Sequence, residues 1–174
     1  MKKKIFALSL CLVFIITVLC VQIVSALPNA TDSDISRQSR SVDEYRKVLD
    51  AVSSEKENLA DVYAGAYING DNLLVINVTD ASDGIKEEMK SASGNPDVII
   101  NEVEFSLSEI NEVYEKLAAD MENAPYFKVT VSEKDNTVYI TGENAEDCNR
   151  YILENGYNPE IITVVEGQNT VVDC

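Results

Sequence analysis

Hydrophobic positions along this chain recur with two different periods, in short stretches separated by turn residues. Apolar runs or alternations of period two predict strands, whereas apolar residues three and four positions apart predict amphipathic helices. Strand patterns bounded by Gly, Pro, Asn and Asp occupy residues 63–68, 73–78, 97–105, 126–131, 137–141 and 160–165. Helical stripes occupy residues 42–58 and 107–122, with shorter helical segments after Thr79 and Asn144. The pattern therefore predicts an α+β fold.

Two capping boxes predict where the longer helices begin. Ser41 precedes Glu44 by three residues, and Ser106 precedes Glu109 in the same way. Such a hydroxyl and carboxylate can each accept from the other's exposed backbone N–H. The first helix is therefore expected to start at Ser41 and the linking helix at Ser106. For the two shorter helices, the expected caps are Asp80 and Asn144, and the first of them is expected to stop at Gly94.

The predicted elements form an internal repeat. Residues 71–76 resemble residues 135–140, and the stretch at 95–99 resembles that at 158–162, at a nearly constant spacing. This predicts two β-hairpin–helix–strand units with small mixed sheets, linked by a helix and preceded by an N-terminal amphipathic helix. The strand–helix–strand step in each unit should cross right-handed. Each unit buries little alone, so the helices at 42–58 and 107–122 are expected to supply packing.

The first 26 residues have the pattern of a secretory signal peptide. Three lysines precede an apolar run from Ile5 to Val21, and small residues lead up to a cleavage site between Ala26 and Leu27. The alternative is an uncleaved anchor, although the apolar run is short for a membrane span. The expectation is a secreted, extracellular protein that has no membrane association after cleavage.

These patterns together predict seven segments. They are a signal peptide (1–26), a flexible segment (27–40), an N-terminal helix (41–60), a first αβ unit (61–106), a linking helix (107–124), a second αβ unit (125–166) and a C-terminal tail (167–174).

Composition narrows the possible chemistry. The chain has 174 residues, 30 acidic against 14 basic side chains, a net charge of −16 and no histidine. Such a charge argues against nucleic acid as a partner, and without histidine no Ser-His-Asp or Cys-His nucleophile can form. The pair Asp80 and Asp83 does not match a calcium loop. The sequence therefore predicts a protein that is not an enzyme and carries no metal or cofactor.

Two cysteines remain after the predicted cleavage. Cys148 and Cys174 are expected to form a disulfide bond, because disulfides persist in exported compartments. The alternatives are two free thiols or a terminal thiol that pairs between molecules.

Several of these stretches resemble a known family. Ala64-Gly65-Ala66-Tyr67, followed after a turn by the apolar strand that ends in Thr79-Asp80, is similar to the start of the pro-region of alpha-lytic protease and streptogrisin-type secreted serine proteases. Residues 127–131 and 136–140 resemble the second hairpin of that family, and the Ser-Leu-led helix between the units also fits. The resemblance covers residues 60–166 and implies two small αβ subdomains.

The resemblance also implies a function. A pro-region assists the folding of its protease and then inhibits it, with its C-terminal sheet paired to the protease and its tail in the active-site cleft. The implied contacts here are Asn169, Thr170, Val171 and Val172. Since this chain contains no protease domain, it would act in trans on a secreted chymotrypsin-like protease. A bond between Cys148 and Cys174 would fold the tail back and argue against that cleft binding.

The alternative function is a secreted or envelope-associated structural or binding protein that keeps the pro-region fold without a protease partner.

Overall fold

The computed structural model describes residues 32–54 and 57–168. The chain divides into two compact units, Met1–Ser36 and Arg37–Cys174. The first is described only from Asp32 to Ser36, where it forms the start of a helix, and the account below concerns the second. Among the described helices, none combines the length and apolar character needed to cross a membrane.

The described residues form five α-helices and six strands. The helices are α1 (Asp32–Ser53), α2 (Glu57–Val62), α3 (Asp83–Ser93), α4 (Leu107–Asp120) and α5 (Ala145–Glu154). The strands are β1 (Tyr63–Ile68), β2 (Leu74–Val78), β3 (Ile99–Glu102), β4 (Tyr126–Ser132), β5 (Thr137–Gly142) and β6 (Ile162–Glu166). Short 3₁₀ helices at Met121–Asn123 and Pro159–Ile161 precede β4 and β6.

The strands form two three-stranded mixed sheets of the same topology. In the first sheet, with the order β1-β2-β3, β1 and β2 are antiparallel and β2 and β3 parallel. The second sheet repeats this arrangement in the order β4-β5-β6. A helix connects the parallel strands of each sheet, so the predicted α+β class and the predicted repeat are both confirmed. The first repeat is defined here as β1–β3 with α3, and the second as β4–β6 with α5.

The two repeats also share their special backbone positions. Asn72 and Asn136, in the two hairpin turns, both have positive φ, 59° and 52°. Gly94 and Gly156, just past the two crossover helices, both have φ of 72°. Asparagine and glycine are the residues that adopt this left-handed conformation at least cost. The asparagines of the hairpin turns and the glycines after the crossover helices therefore adopt the same backbone conformation in both repeats.

Each repeat has its own hydrophobic core, completed by a helix from outside the repeat. Ile76 of β2 and Ile140 of β5 lie at the centres of the two cores, and both are fully buried. Helix α1 adds Val48 to the first core, and α4 adds Ile110 and Leu117 to the second. The expectation that these two helices supply the missing packing is confirmed.

The predicted start of the first helix is wrong. Helix α1 begins at Asp32, so residues 32–40 of the predicted flexible segment 27–40 are helical, and α1 ends at Ser53. The stretch 32–40 is polar but contains no Pro or Gly, and extending an existing helix costs far less than starting one. The lack of an apolar stripe therefore did not indicate the absence of a helix.

The first capping box does not form, because its two side chains bind the first repeat. The Ser41 hydroxyl donates to the carbonyl of Asn72 at 2.6 Å. The Glu44 carboxylate accepts from the side-chain amide of Asn95 at 3.1 Å. Both residues are buried inside the helix and hold α1 against two turns of the repeat.

The second capping box forms as predicted. The Ser106 hydroxyl accepts from the backbone N–H of Glu109, and the Glu109 carboxylate accepts from the backbone N–H of Ser106 at 2.8 Å. Asn144 caps α5 as expected. The predicted cap Asp80 is wrong: Ser82 precedes α3, and Asp80 accepts from its N–H at 2.9 Å, before the helix starts.

Candidate functional site

Most of the residues predicted to act lie outside the described part of the chain. These are the cleavage site Ala26–Leu27, the tail contacts Asn169, Thr170, Val171 and Val172, and Cys174. The disulfide and the tail contacts therefore stay predictions.

Cys148 is described, and it is fully buried in α5 without a disulfide bond to any described residue. Its thiol donates to the carbonyl of Pro125 at 3.4 Å. Burial raises the pKa of the Cys148 thiol, and neighbouring Asp147 raises it further. Because the thiolate is the reactive form, this side chain is suited to packing rather than to nucleophilic chemistry.

Strand β6 leaves an open edge in the second sheet. It pairs with β5 on one side, and no described strand pairs with its other side. The N–H of Gly167 donates to the carbonyl of Gly142 at 2.9 Å, so alternation along the strand points the backbone groups of Val164 and Glu166 outward. Val165 and Glu166 are exposed. An edge of this kind can accept a further strand from another chain.

A shallow cleft of about 430 Å³ lies between α4 and the turn that follows α5. Lys116 donates to Glu112 at 2.7 Å, and the third charged side chain of the lining, Glu109, accepts from Ser106. Across residues 32–54 and 57–168, no cluster of three or more acidic or cysteine side chains could hold a metal ion. The cleft offers no group poised for chemistry.

The two repeats meet at a polar junction made by the turn between β4 and β5. Glu133, in that turn, accepts the backbone N–H of Ala66 in β1 at 2.7 Å. The carbonyl of Glu133 accepts from the side-chain amide of Asn77 at 2.6 Å. The carbonyl oxygen of the Asn77 side chain accepts from Asn101 at 3.0 Å. One turn of the second repeat is thus bonded to β1 and β2 of the first sheet, and through Asn77 it is linked to β3.

A second pair of bonds closes the other side of the same turn. The N–H of Phe105 donates to the side-chain oxygen of Asn136 at 2.9 Å, and the Asn136 amide donates to the carbonyl of Phe105 at 2.7 Å. Buried polar groups are stable only when hydrogen-bonded, so this network fixes where the two repeats meet.

The junction has unusual electrostatics. Burial raises the pKa of Glu133, and its bond to the Ala66 N–H opposes that rise. Burial also raises the pKa of Tyr63, with Glu133 and Tyr45 adding to it. The Tyr63 hydroxyl is buried without a hydrogen-bond partner among the described residues, whereas the corresponding Tyr126 donates to the carbonyl of Leu117 at 2.9 Å.

Sequence reasoning assigned no role to Glu133, Asn77 or Asn101. Residues 132–136 are a polar turn by composition, and nothing local indicates the surface that such a turn faces. One difference between the repeats marks the place: residues 132–137 connect the paired Val131 and Val138, whereas residues 69–73 connect Ile68 and Leu74, so the second turn is one residue longer.

Comparison with known proteins gives two similarities. Residues 30–103 match a family model described as a Pro-like N-terminal domain. A 40-residue stretch is 45% identical to the DNA-directed RNA polymerase subunit epsilon of Staphylococcus haemolyticus (strain JCSC1435), covering 23% of this chain. The match spans 56% of that subunit's length.

The family match bears on the first repeat. It ends at Val103, just past β3, and it does not support assignment to the alpha-lytic protease family in particular. The second repeat has the same strand order and the same turn residues as the first. The match supports a pro-region-like domain over residues 30–103.

Proposed function

We propose that this protein is a secreted, non-catalytic, pro-region-like protein that binds a serine protease in trans, as a folding helper or an inhibitor. The observation that carries the proposal is the open edge of β6, a strand that precedes the predicted contact residues 169–172 in the sequence. The match of residues 30–103 to a Pro-like domain supports it. The absence of histidine also supports a role as the accessory chain rather than the protease.

The proposed binding mode is addition of a protease strand to β6. The outward backbone groups of Val164 and Glu166 would bond to the added strand, whereas the Glu166 carboxylate accepts from the N–H of Ala145 in α5 at 3.3 Å. The net charge of −16 favours a protease with a basic surface around the docking strand and speeds the encounter at low salt.

The test uses a denatured chymotrypsin-like protease that lacks its own pro-region. The purified protein should raise the yield of active protease on refolding and should inhibit the native protease at micromolar concentration. If neither rescue nor inhibition appears at that concentration, the proposal is wrong.

A matched pair of variants tests the binding mode. Glu166→Pro removes an outward N–H from β6, whereas Glu166→Ala removes the same side chain and keeps that N–H. The Pro variant should weaken inhibition at least about tenfold, the equivalent of 1.4 kcal/mol. The Ala variant should bind nearly as well as the original protein. Equal inhibition by both variants would contradict strand addition at this edge.

A further inference from the structure

The carboxylate of Glu133 bridges the two repeats. Its Oε2 accepts from the Ala66 N–H at 2.7 Å, and none of the ion pairs among the described residues includes it. Removing a carboxylate from water without a counter-charge disfavours its charged form. The bond to the Ala66 N–H favours the charged form, but the cost of burying the charge is the larger effect, so protonation of Glu133 lowers the net cost of forming the junction.

Strand β1 has a glycine and an irregular pairing at the point where the Glu133 side chain contacts it. Strand β1 is an edge strand, and its pairing with β2 is irregular between Tyr63 and Ala66. Gly65, inside that irregularity, has φ of 105°, and a Cβ there would lie 2.7 Å from the Cβ of Glu133. Only glycine allows so close an approach at that φ. The contact depends on both partners and is not an incidental touch of two surfaces.

We propose that the contact between Glu133 and the edge of β1 is a proton-controlled coupling that holds the two repeats together more tightly in acidic than in neutral solution. When protonated, the carboxyl group keeps a carbonyl oxygen for the Ala66 N–H and no longer places a charge in the junction. It also gains an O–H donor in the neighbourhood of Tyr63, whose buried hydroxyl has no partner among the described residues.

The other groups near Glu133 do not reverse this effect. Burial raises the pKa of Tyr63 of β1, so its hydroxyl stays neutral through the acidic and neutral range, and Tyr45 of α1 lies close enough to interact with Tyr63. Asn77 of β2 and Asn101 of β3 carry no charge. In the turn itself, Lys134 and Asp135 are exposed, and Asp135 accepts from Ser132 and Tyr139.

The direction of the pH effect follows from linkage. Burial raises the pKa of Glu133 above that of the unfolded chain, so the folded protein binds the proton more tightly. This contribution to stability is fully present below the unfolded pKa and is lost as the pH rises through the folded pKa. Most paired carboxylates have the opposite effect, because their pKa is lowered on folding.

The experiment combines two measurements on the purified protein. The first follows the Ala66 amide by NMR from pH 4 to pH 8. Its shift should titrate with a midpoint above the ordinary glutamate value of about 4.3. The second compares urea unfolding of the original protein, Glu133→Gln and the control Glu115→Gln, which changes an exposed glutamate on α4.

The two measurements must agree in size. The midpoint of the Ala66 titration gives the folded pKa of Glu133. For each unit by which it exceeds the unfolded pKa, the original protein should lose about a factor of ten in folding equilibrium constant, relative to Glu133→Gln, between acid and neutral pH. The Glu115→Gln variant should keep the full pH dependence of the original protein. An Ala66 amide that does not titrate, or that titrates at or below the ordinary glutamate value, would overturn the proposal. The NMR measurement stands even if Glu133→Gln fails to fold.

Discussion

Two glycines of the first hairpin, Gly65 and Gly70, have very different surroundings. Gly65 has φ of 105° and faces Glu133 of the other repeat, whereas a Cβ at Gly70 would meet nothing within 4 Å. Positive φ is costly for any residue with a side chain, and here the side chain would also have to displace the junction. Gly65 is therefore required by its contact with Glu133, whereas Gly70 lies in an open turn.

We expect Gly65→Ala to destabilise the protein by about 2 kcal/mol or more, the cost of backbone strain together with a displaced Glu133. Gly70→Ala should change stability by less than about 0.5 kcal/mol, since it lies at an open surface. Urea unfolding of both variants measures the difference. Equal stability of the two would mean that the close approach at Gly65 is not needed for the fold.

The residue scale is also where prediction from sequence was weakest. Turn residues were identified correctly, because Asn72, Asn136 and Gly94 act through their own backbone conformation. Glu133 was not identified, because its role depends on a partner, Ala66, far away along the chain. Local patterns report the conformation of a residue, and they do not report which distant surface its side chain meets.

Capping boxes show the same limit for whole elements. Ser41–Glu44 and Ser106–Glu109 have the same pattern, yet only the second starts a helix. The first lies within α1, where its hydroxyl and carboxylate bond to Asn72 and Asn95 instead. The six strands and the linking helix were found in the right order because period and turn residues act locally, although β3 is shorter than the predicted 97–105 and the predicted last strand begins in a 3₁₀ helix. The start of α1 was not predicted correctly, because a helix can extend beyond a capping pattern without a further start signal.

Ser106→Ala should destabilise the protein by about 1 kcal/mol, because the N-cap hydroxyl and its bonds to Glu109 are lost. The control is Ser108→Ala, an exposed position in the same first turn, which should be close to neutral. Thermal or urea unfolding at neutral pH measures both.

The pH dependence of this variant has a definite sign. Bonds from the Ser106 side chain and backbone lower the pKa of Glu109, so its contribution to stability is present above the unfolded pKa and is lost as the pH falls through the folded pKa. The difference between Ser106→Ala and the original protein should therefore narrow in acid. If the stability difference between Ser106→Ala and the original protein grew in acid, the observed capping box between Ser106 and Glu109 would be contradicted.

At the scale of the molecule, two cores are joined by a polar junction. The cores share no buried residue, and the described contacts between the repeats include the bonds of Glu133, Asn77 and Asn136. Buried apolar area is the main source of stability, and hydrogen bonds add less net free energy. Each repeat should therefore behave as a partly independent cooperative unit.

Ile76→Ala and Ile140→Ala test this independence at equivalent positions of the two repeats. Each change should cost about 2–5 kcal/mol, since both side chains are fully buried. In hydrogen exchange, Ile76→Ala should accelerate exchange in β1–β3 more than in β4–β6, and Ile140→Ala should do the reverse. Uniform acceleration throughout the described strands would show that the two repeats unfold as one.

The differing turns of the two repeats limit how such units can be added together. In tandem arrays, each repeat has one surface that contacts the repeat before it and another that contacts the repeat after it, so further repeats can be added. Here Glu133 reaches out, but Asn69 uses its side-chain oxygen on the N–H groups of Asp71 and Leu73 in its own turn. Gly65 of β1 leaves room for the Glu133 side chain, whereas Lys128 occupies the equivalent position of β4. The contact between the repeats therefore has a direction, from the turn of the second repeat to the edge strand of the first.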